Sequence, residues 1–327
     1  MTTTTAPGMK SAITRARERA TTSRRNAHPP MRRREVAGAW TLLAPYLVLL
    51  LIGGIIPIGY ALWVSFQVSP TLLQPDVTGF GGVNAYVKAI SDFRFARSFV
   101  DIFTVLIVWL PIMIVSVVGL ALLVHASPGR FGSIMRFIYY IPGALGGVAN
   151  LMLWVYLLNP GQSPISGFLS AMGFTTIKQV VATQGDLPVI LAAMLLLQGL
   201  GQWTVTVNGG LNSIPDEILE AASLDGANAW QLAWRVKLPM IRQWIGYTAL
   251  LNLAYGFQLF LEPYLLNQVA SGALPSEYTP TQLGYWFAFV GNDFPTAAAM
   301  SVVIVIITLA IGLVVVFRSG LFSVEES

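Results

Sequence analysis

Apolar positions gather into long runs separated by polar stretches, at roughly Ala37–Phe66, Phe99–His125, Ile134–Leu158, Leu187–Gly209, Trp244–Leu266 and Thr296–Phe317. A helix needs about 20 apolar residues to cross about 30 Å of hydrocarbon, so each run predicts a membrane-spanning helix. The fold class expected is an all-α integral membrane protein with six transmembrane helices. The first run holds Pro45 and Pro57, which predict a tilted or kinked helix. The fourth is interrupted by Gln198, Gly199, Gly201, Gln202 and Asn208, which blurs its limits.

The basic residues then orient these helices. Lys10 and the arginines at 15, 17, 19, 24, 25, 32, 33 and 34 lie ahead of the first run. If that end is cytoplasmic, Arg130, Arg136, Arg235, Lys237, Arg242 and Arg318 also fall inside, leaving only Lys88, Arg94, Arg97 and Lys178 outside. Cytoplasmic loops carry the excess of Lys and Arg, so both termini are expected to be cytoplasmic. Residues 1–35 read as a basic, disordered cytoplasmic tail lying on an anionic membrane face. Residues 36–318 form the transmembrane domain, and 319–327 a short cytoplasmic tail.

Composition narrows the class further. Hydrophobic residues make up 55% of the chain and charged residues 10%, against about 25% charged in soluble domains. Cysteine is absent and His28 and His125 are the two histidines, which argues against thiol chemistry and a metal centre. The pI near 9.4 reflects the tail, not a nucleic-acid surface. None of the lysines, Lys10, Lys88, Lys178 and Lys237, follows a glycine, so there is no phosphate-binding G-x-x-x-x-G-K-[ST] loop. The chain is not itself an ATPase. An ion-coupled secondary transporter of small polar solutes is the rival class; it would place ionisable groups mid-membrane. The runs instead carry neutral amides, with Asp101, Asp186 and Glu262 near their ends. A membrane-embedded enzyme would need a nucleophile and base that this sequence does not supply.

One connector, residues 211–242, breaks the pattern. It lies on the cytoplasmic side and concentrates Asp216, Glu217, Glu220 and Asp225. Ser213 with Asp216 reads as a capping box, and Pro215 suits a first helical turn. Ile214, Ile218, Leu219 and Ala222 recur at helical spacing. Asp225-Gly226 signals a turn with a positive φ at glycine. A second short helix is expected from about Asn228 to Lys237, ended by Pro239. On spacing alone this is either an interfacial hairpin capping the bundle or a rigid knob for a cytoplasmic motor to push.

Glu220-Ala221-Ala222-x-x-Asp225-Gly226-Ala227, followed by Lys237-Leu238-Pro239, resembles the EAA coupling motif of permease subunits in bacterial binding-protein-dependent ABC importers. Pro57 to Phe66, Gly82 to Tyr86, Gln258 to Leu266 and Ala297 to Val303 resemble the carbohydrate-uptake branch of that family. The resemblance covers roughly residues 40–318. It implies that Glu220, Ala221, Ala222, Asp225, Gly226, Ala227, Leu238 and Pro239 dock an ATPase and transmit its closure. It also implies a multi-pass protein of the bacterial inner membrane with several partners: a second homologous permease, two ATP-binding subunits that hold ATP and Mg, and an extracytoplasmic or lipoprotein solute-binding protein. This chain would carry no cofactor and bind membrane lipid but no nucleic acid. Ala233 stands where the family usually has a bulky aromatic, and Gln243 where it often has proline. After Asn267 the usual Thr-Gly-Gly-Gly-Pro run is absent.

A sugar presents hydroxyls and apolar ring faces, which suit amides flanked by aromatics. The candidates for a substrate path are Asn150 with Trp154, Gln198 with Gln202, and Asn252, Tyr255 and Gln258 on one broad face of the fifth run, with Glu262 at its end. The same amides could instead act as helix–helix glue.

Overall fold

The structure, a computed structural model, describes residues 33–69, 79–127, 129–144, 147–182, 186–270, 272 and 274–319. The basic tail up to residue 32, and the last residues from 320 on, lie outside the described residues. The chain divides into two compact units, Met1–Tyr60 and Ala61–Ser327. Among the described residues the backbone is helical, apart from a single β-bridge between Gln67 and Phe80.

In the first unit, a helix Arg33–Leu50 that contains Pro45 passes into a π-helical turn, Leu51–Ile55. The next helix begins at Ile56, with Pro57 in its first turn. The irregularity thus sits just before Pro57. That residue has no N–H to give the carbonyl four positions back, and Ile56 N–H bonds five positions back, to Leu51.

The second unit is organised around the helix Phe93–Ala126. Its 34 residues amount to about 50 Å at 1.5 Å per residue, more than the hydrocarbon requires. It must therefore tilt or project into the aqueous layer. Ile102, Val105, Leu106, Trp109, Met113, Val117 and Ala121 are buried along one stripe. Leu191, Met194, Leu195, Val207 and Leu211 on the helix Asp186–Leu211 are buried with them, and these two helices form the most extensive interface in the molecule. The helix Arg130–Ala144 closes on Asp186–Leu211 at main-chain distance. A Cβ on Gly143 would lie 2.6 Å from the Gln198 carbonyl oxygen, and one on Gly201 would lie 2.7 Å from Tyr140 Cα. Small residues at such crossings let backbones approach, the usual basis of helix association in lipid. The helix Phe294–Ser319 packs on Arg242–Phe257, Asn84–Ser91 and Pro280–Phe289.

Among the described residues, four helices are long and apolar enough to cross a membrane: Trp40–Val64, Phe93–Ala126, Leu187–Leu211 and Phe294–Arg318. A fifth crossing forms if Arg130–Ala144 and Gly147–Leu157, bent by 95°, count as one. The fifth apolar run is not a continuous helix. It ends at Phe257 and restarts as Leu261–Val269. Pro263 supplies the physical reason: a continuous helix would need its N–H for the Leu259 carbonyl, and its ring would clash with that carbonyl. The freed carbonyls find other donors. Thr281 Oγ1 donates to Leu259 O at 2.7 Å, and Gln282 Nε2 to Phe260 O at 3.3 Å. Both donors come from the helix Pro280–Phe289, opened by a capping box between Thr279 and Gln282. This helix occupies a stretch expected to be an outer loop.

The end of Phe93–Ala126 that begins with Asp92 is clamped by charge. Asp92 accepts from the Arg94 main chain and, twice, from its guanidinium, all at 2.9 Å. The same guanidinium lies 3.8 Å above the Trp286 ring and 3.4 Å from Glu277. The Arg94 partner holds the Asp92 carboxyl below its ordinary range.

Candidate coupling segment and polar path

The connector folds as two short helical pieces on a narrow base. The helix Asp216–Leu224 starts from Pro215, not from a capping box: Ser213 Oγ donates back to the Gly210 carbonyl at 2.7 Å, serving the end of the preceding helix. Asp216 and Glu217 sit in the first turn, where the dipole favours anions. At the other end, Gly226 N–H bonds Ser223 O and Ala227 N–H bonds Ala222 O, both at 3.1 Å. With Gly226 at φ +84° this is a Schellman turn, and the positive φ agrees with the expectation from Asp225-Gly226.

Asn228 then caps the second piece with a full capping box to Gln231. Sequence reasoning placed the helix start correctly but missed this pair, although Asn-x-x-Gln carries the signal. Helix Ala229–Gln231 passes into a π-helical turn, Leu232–Lys237, and on through Leu238–Met240. Pro239 lies within this path and does not end it. The chain turns at Ile241, φ −96° and ψ 10°, before Arg242–Phe257 begins.

The base of the segment is buried through Ile214, Lys237 and Ile241. Its outer surface is apolar and open: Leu224 is 89%, Trp230 70% and Trp234 53% exposed. The two indoles lie 5.4 Å apart. Asp216, Leu219, Glu220, Ser223 and Leu224 line a shallow cleft of about 480 Å³. Ala222 and Ala227 are half-buried and Glu220, Ala221, Asp225 and Gly226 exposed, while Leu238 is half-buried and Pro239 exposed. The motif residues therefore divide between those that shape the turn and those presented outward. An acidic rim around apolar anchors suits a protein partner better than solvent.

The path candidates do not form one surface. Asn252 is fully buried; its amide donates to the Thr248 carbonyl at 2.8 Å, while its Oδ1 has no protein partner. Tyr255 and Gln258 are exposed. Tyr255 stands 6.4 Å from the buried Trp109 ring, and Gln258 caps the helix end with its amide turned back to Ala254 O at 3.2 Å. Gln198 is half-buried with an unpartnered Oε1, whereas Gln202 faces outward. Asn150 is buried, Trp154 half-buried and Glu262 buried in the first turn after the helix break. Helical spacing placed Asn252, Tyr255 and Gln258 together; burial separates Asn252 from the other two.

Comparison with known proteins follows from this geometry. The model of the family described as binding-protein-dependent transport system inner membrane component matches residues 80–323, well over half of the chain. The trehalose transport system permease protein SugA of Mycobacterium tuberculosis is 27% identical over 277 residues, covering 81% of this chain and 83% of SugA. The sn-glycerol-3-phosphate transport system permease protein UgpA of Escherichia coli O157:H7 is 27% identical over 280 residues, covering 83% and 90%. A chain of a bacterial ABC transporter involved in import of the acidic polysaccharide alginate superposes with a TM-score of 0.72 at 20% identity, covering 89% of this chain and 99% of that one.

Proposed function

We propose that this chain, which belongs to the family of binding-protein-dependent transport system inner membrane components, is one of two related permeases that together enclose the path of an ATP-driven importer. It is an inner-membrane permease for a sugar or sugar-like solute. In this reading the chain crosses the membrane six times with both termini cytoplasmic. The broken run Arg242–Phe257 plus Leu261–Val269 and the bent pair each serve as one crossing. Two ATP-binding subunits supply hydrolysis, and an extracytoplasmic or lipoprotein binding protein delivers the solute.

The observation that carries the reading is the coupling segment. Its Schellman turn at Gly226 fixes the angle between two short helices, its base is buried, and its apolar top lies open between acidic side chains. Glu220, Ala221, Ala222, Asp225, Gly226 and Ala227 form the docking element. Leu238 and Pro239 carry its motion toward Arg242–Phe257.

The path candidates favour a neutral solute. Asn150, Trp154, Gln198, Gln202, Asn252, Tyr255 and Gln258 bear no charge, and Glu262 adds a carboxylate. A phosphate ester would find no cation among these residues to offset the cost of leaving water. Proteoliposomes holding the assembled importer should therefore accumulate a radiolabelled neutral disaccharide such as trehalose. Glycerol phosphate should not compete. Exclusive uptake of the phosphate ester would refute the neutral-path reading. In the same assay Gln258→Ala should weaken uptake by up to about tenfold, one hydrogen bond being worth about 0.5–1.5 kcal/mol, with the melting temperature unchanged. A lowered melting temperature with unchanged uptake would place Gln258 in packing.

A further inference from the structure

Lys237 is buried, with 7% of its surface accessible. It belongs to the coupling segment, at the last position of the π-helical turn Leu232–Lys237. Its Nζ lies 2.9 Å from Nδ1 of His125, 112 positions earlier in the chain. His125 is in the last turn of Phe93–Ala126. An ammonium can only donate, so the His125 Nδ1 accepts and is unprotonated.

The C-terminus of Phe93–Ala126 thus presents one imidazole to which a lysine from the coupling segment is hydrogen-bonded. Carbonyls at a helix C-terminus lack intrahelical donors and carry partial negative charge, so a cation there has an electrostatic reason to stay. Burial pushes the Lys237 ammonium below the ordinary lysine range, which a purely stabilising surface lysine would not suffer. The helix it reaches, Phe93–Ala126, packs on Asp186–Leu211 to form the core. The other cytoplasmic cations of the segment, Arg235 and Arg242, are exposed.

We infer that Lys237 is a positioning residue that pins the coupling segment to the core helices through His125, so that movement of the docked segment is carried into the membrane. The inference rests on the coupling reading given above. A knob joined to the bundle only through its flanking chain could rock without moving Phe93–Ala126. The Lys237–His125 link removes that freedom.

The test uses the assembled importer in proteoliposomes and reads sugar molecules taken up per ATP hydrolysed, a ratio that simple loss of folded protein leaves unchanged. Lys237→Met keeps the length and removes the donor; it should lower the ratio about tenfold, within the usual range of intersite coupling, while the ATPase still co-purifies. His125→Gln, which retains an acceptor for Lys237, should stay near the unsubstituted ratio. If Lys237→Met does not accumulate, His125→Phe breaks the same link from the other side and should give the same loss. An unchanged ratio in Lys237→Met or in His125→Phe overturns the pin, as does a loss in His125→Gln equal to theirs. Gly226→Val serves as the control for the underlying reading. Normal uptake in that variant removes the coupling role altogether. Its failure beside an unchanged Lys237→Met ratio removes the pin alone.

Discussion

Gly226→Val is expected to abolish sugar uptake and to strip the ATPase from the complex, while the permease still inserts and purifies. The cause is backbone conformation and not space. A Cβ at Gly226 would meet no atom within 4 Å, but the residue holds φ +84°. A β-branched residue is a real outlier in that region, and holding it there costs about 1–3 kcal/mol. The turn would relax toward negative φ and lose the bonds from Gly226 and Ala227 N–H to Ser223 and Ala222. The two short helices would then swing apart, and Leu224 and Trp230 would no longer present one surface. A strain of about 3 kcal/mol lowers the docking-competent population roughly a hundredfold. Gly226→Asn should be much milder, because asparagine visits the left-handed region. Co-purification ratio and uptake measure both variants, and wild-type uptake in Gly226→Val would contradict the account.

Gly201→Leu is expected to prevent accumulation of folded protein. A Cβ at Gly201 would lie 2.7 Å from Tyr140 Cα and 2.9 Å from the Tyr139 carbonyl oxygen. These are main-chain atoms that cannot rotate away. Overpacking of a core costs about 1–3 kcal/mol and sometimes more, and here it separates two helix backbones. Gly209, on the same helix, has no atom within 4 Å of a built Cβ. Gly209→Ala should therefore be neutral or stabilising by about 0.5–1 kcal/mol from helix propensity alone. Detergent-solubilised yield and melting temperature distinguish the two sites. Equal behaviour would contradict the close approach of Arg130–Ala144 and Asp186–Leu211.

What the sequence discloses and what it hides follow from the reach of each signal. Apolar runs announce helices because lipid demands them, so the limits of Asp186–Leu211 and Phe294–Ser319 fall within a few residues of those expected. Asp225-Gly226 announces its turn because the conformation is local. The break after Phe257 escaped because apolar residues continue across it; the signal was Glu262-Pro263, read as the end of a run and not as an interruption. Ser213 and Asn228 show that a short polar residue beside a helix can cap the element before it or the one after it. The helix Pro280–Phe289, at ten residues too short for a crossing, was hidden in a stretch read as an outer loop, and it supplies donors to Leu259 and Phe260. Spacing put Asn252, Tyr255 and Gln258 on one arc, but only packing could say that Asn252 turns inward. The Lys237–His125 link joins residues 112 apart and leaves no local trace.

The central claim is that the segment 211–242 meets an ATPase on the cytoplasmic side while the exposed loop position Gln162 faces outward. A photo-crosslinking amino acid placed at Leu224, 89% exposed, or at Gln162 in cells, followed by mass spectrometry of the captured species, tests it directly. The account predicts a nucleotide-binding subunit captured from Leu224 and none from Gln162. Capture of that subunit from Gln162 and not from Leu224 would contradict it.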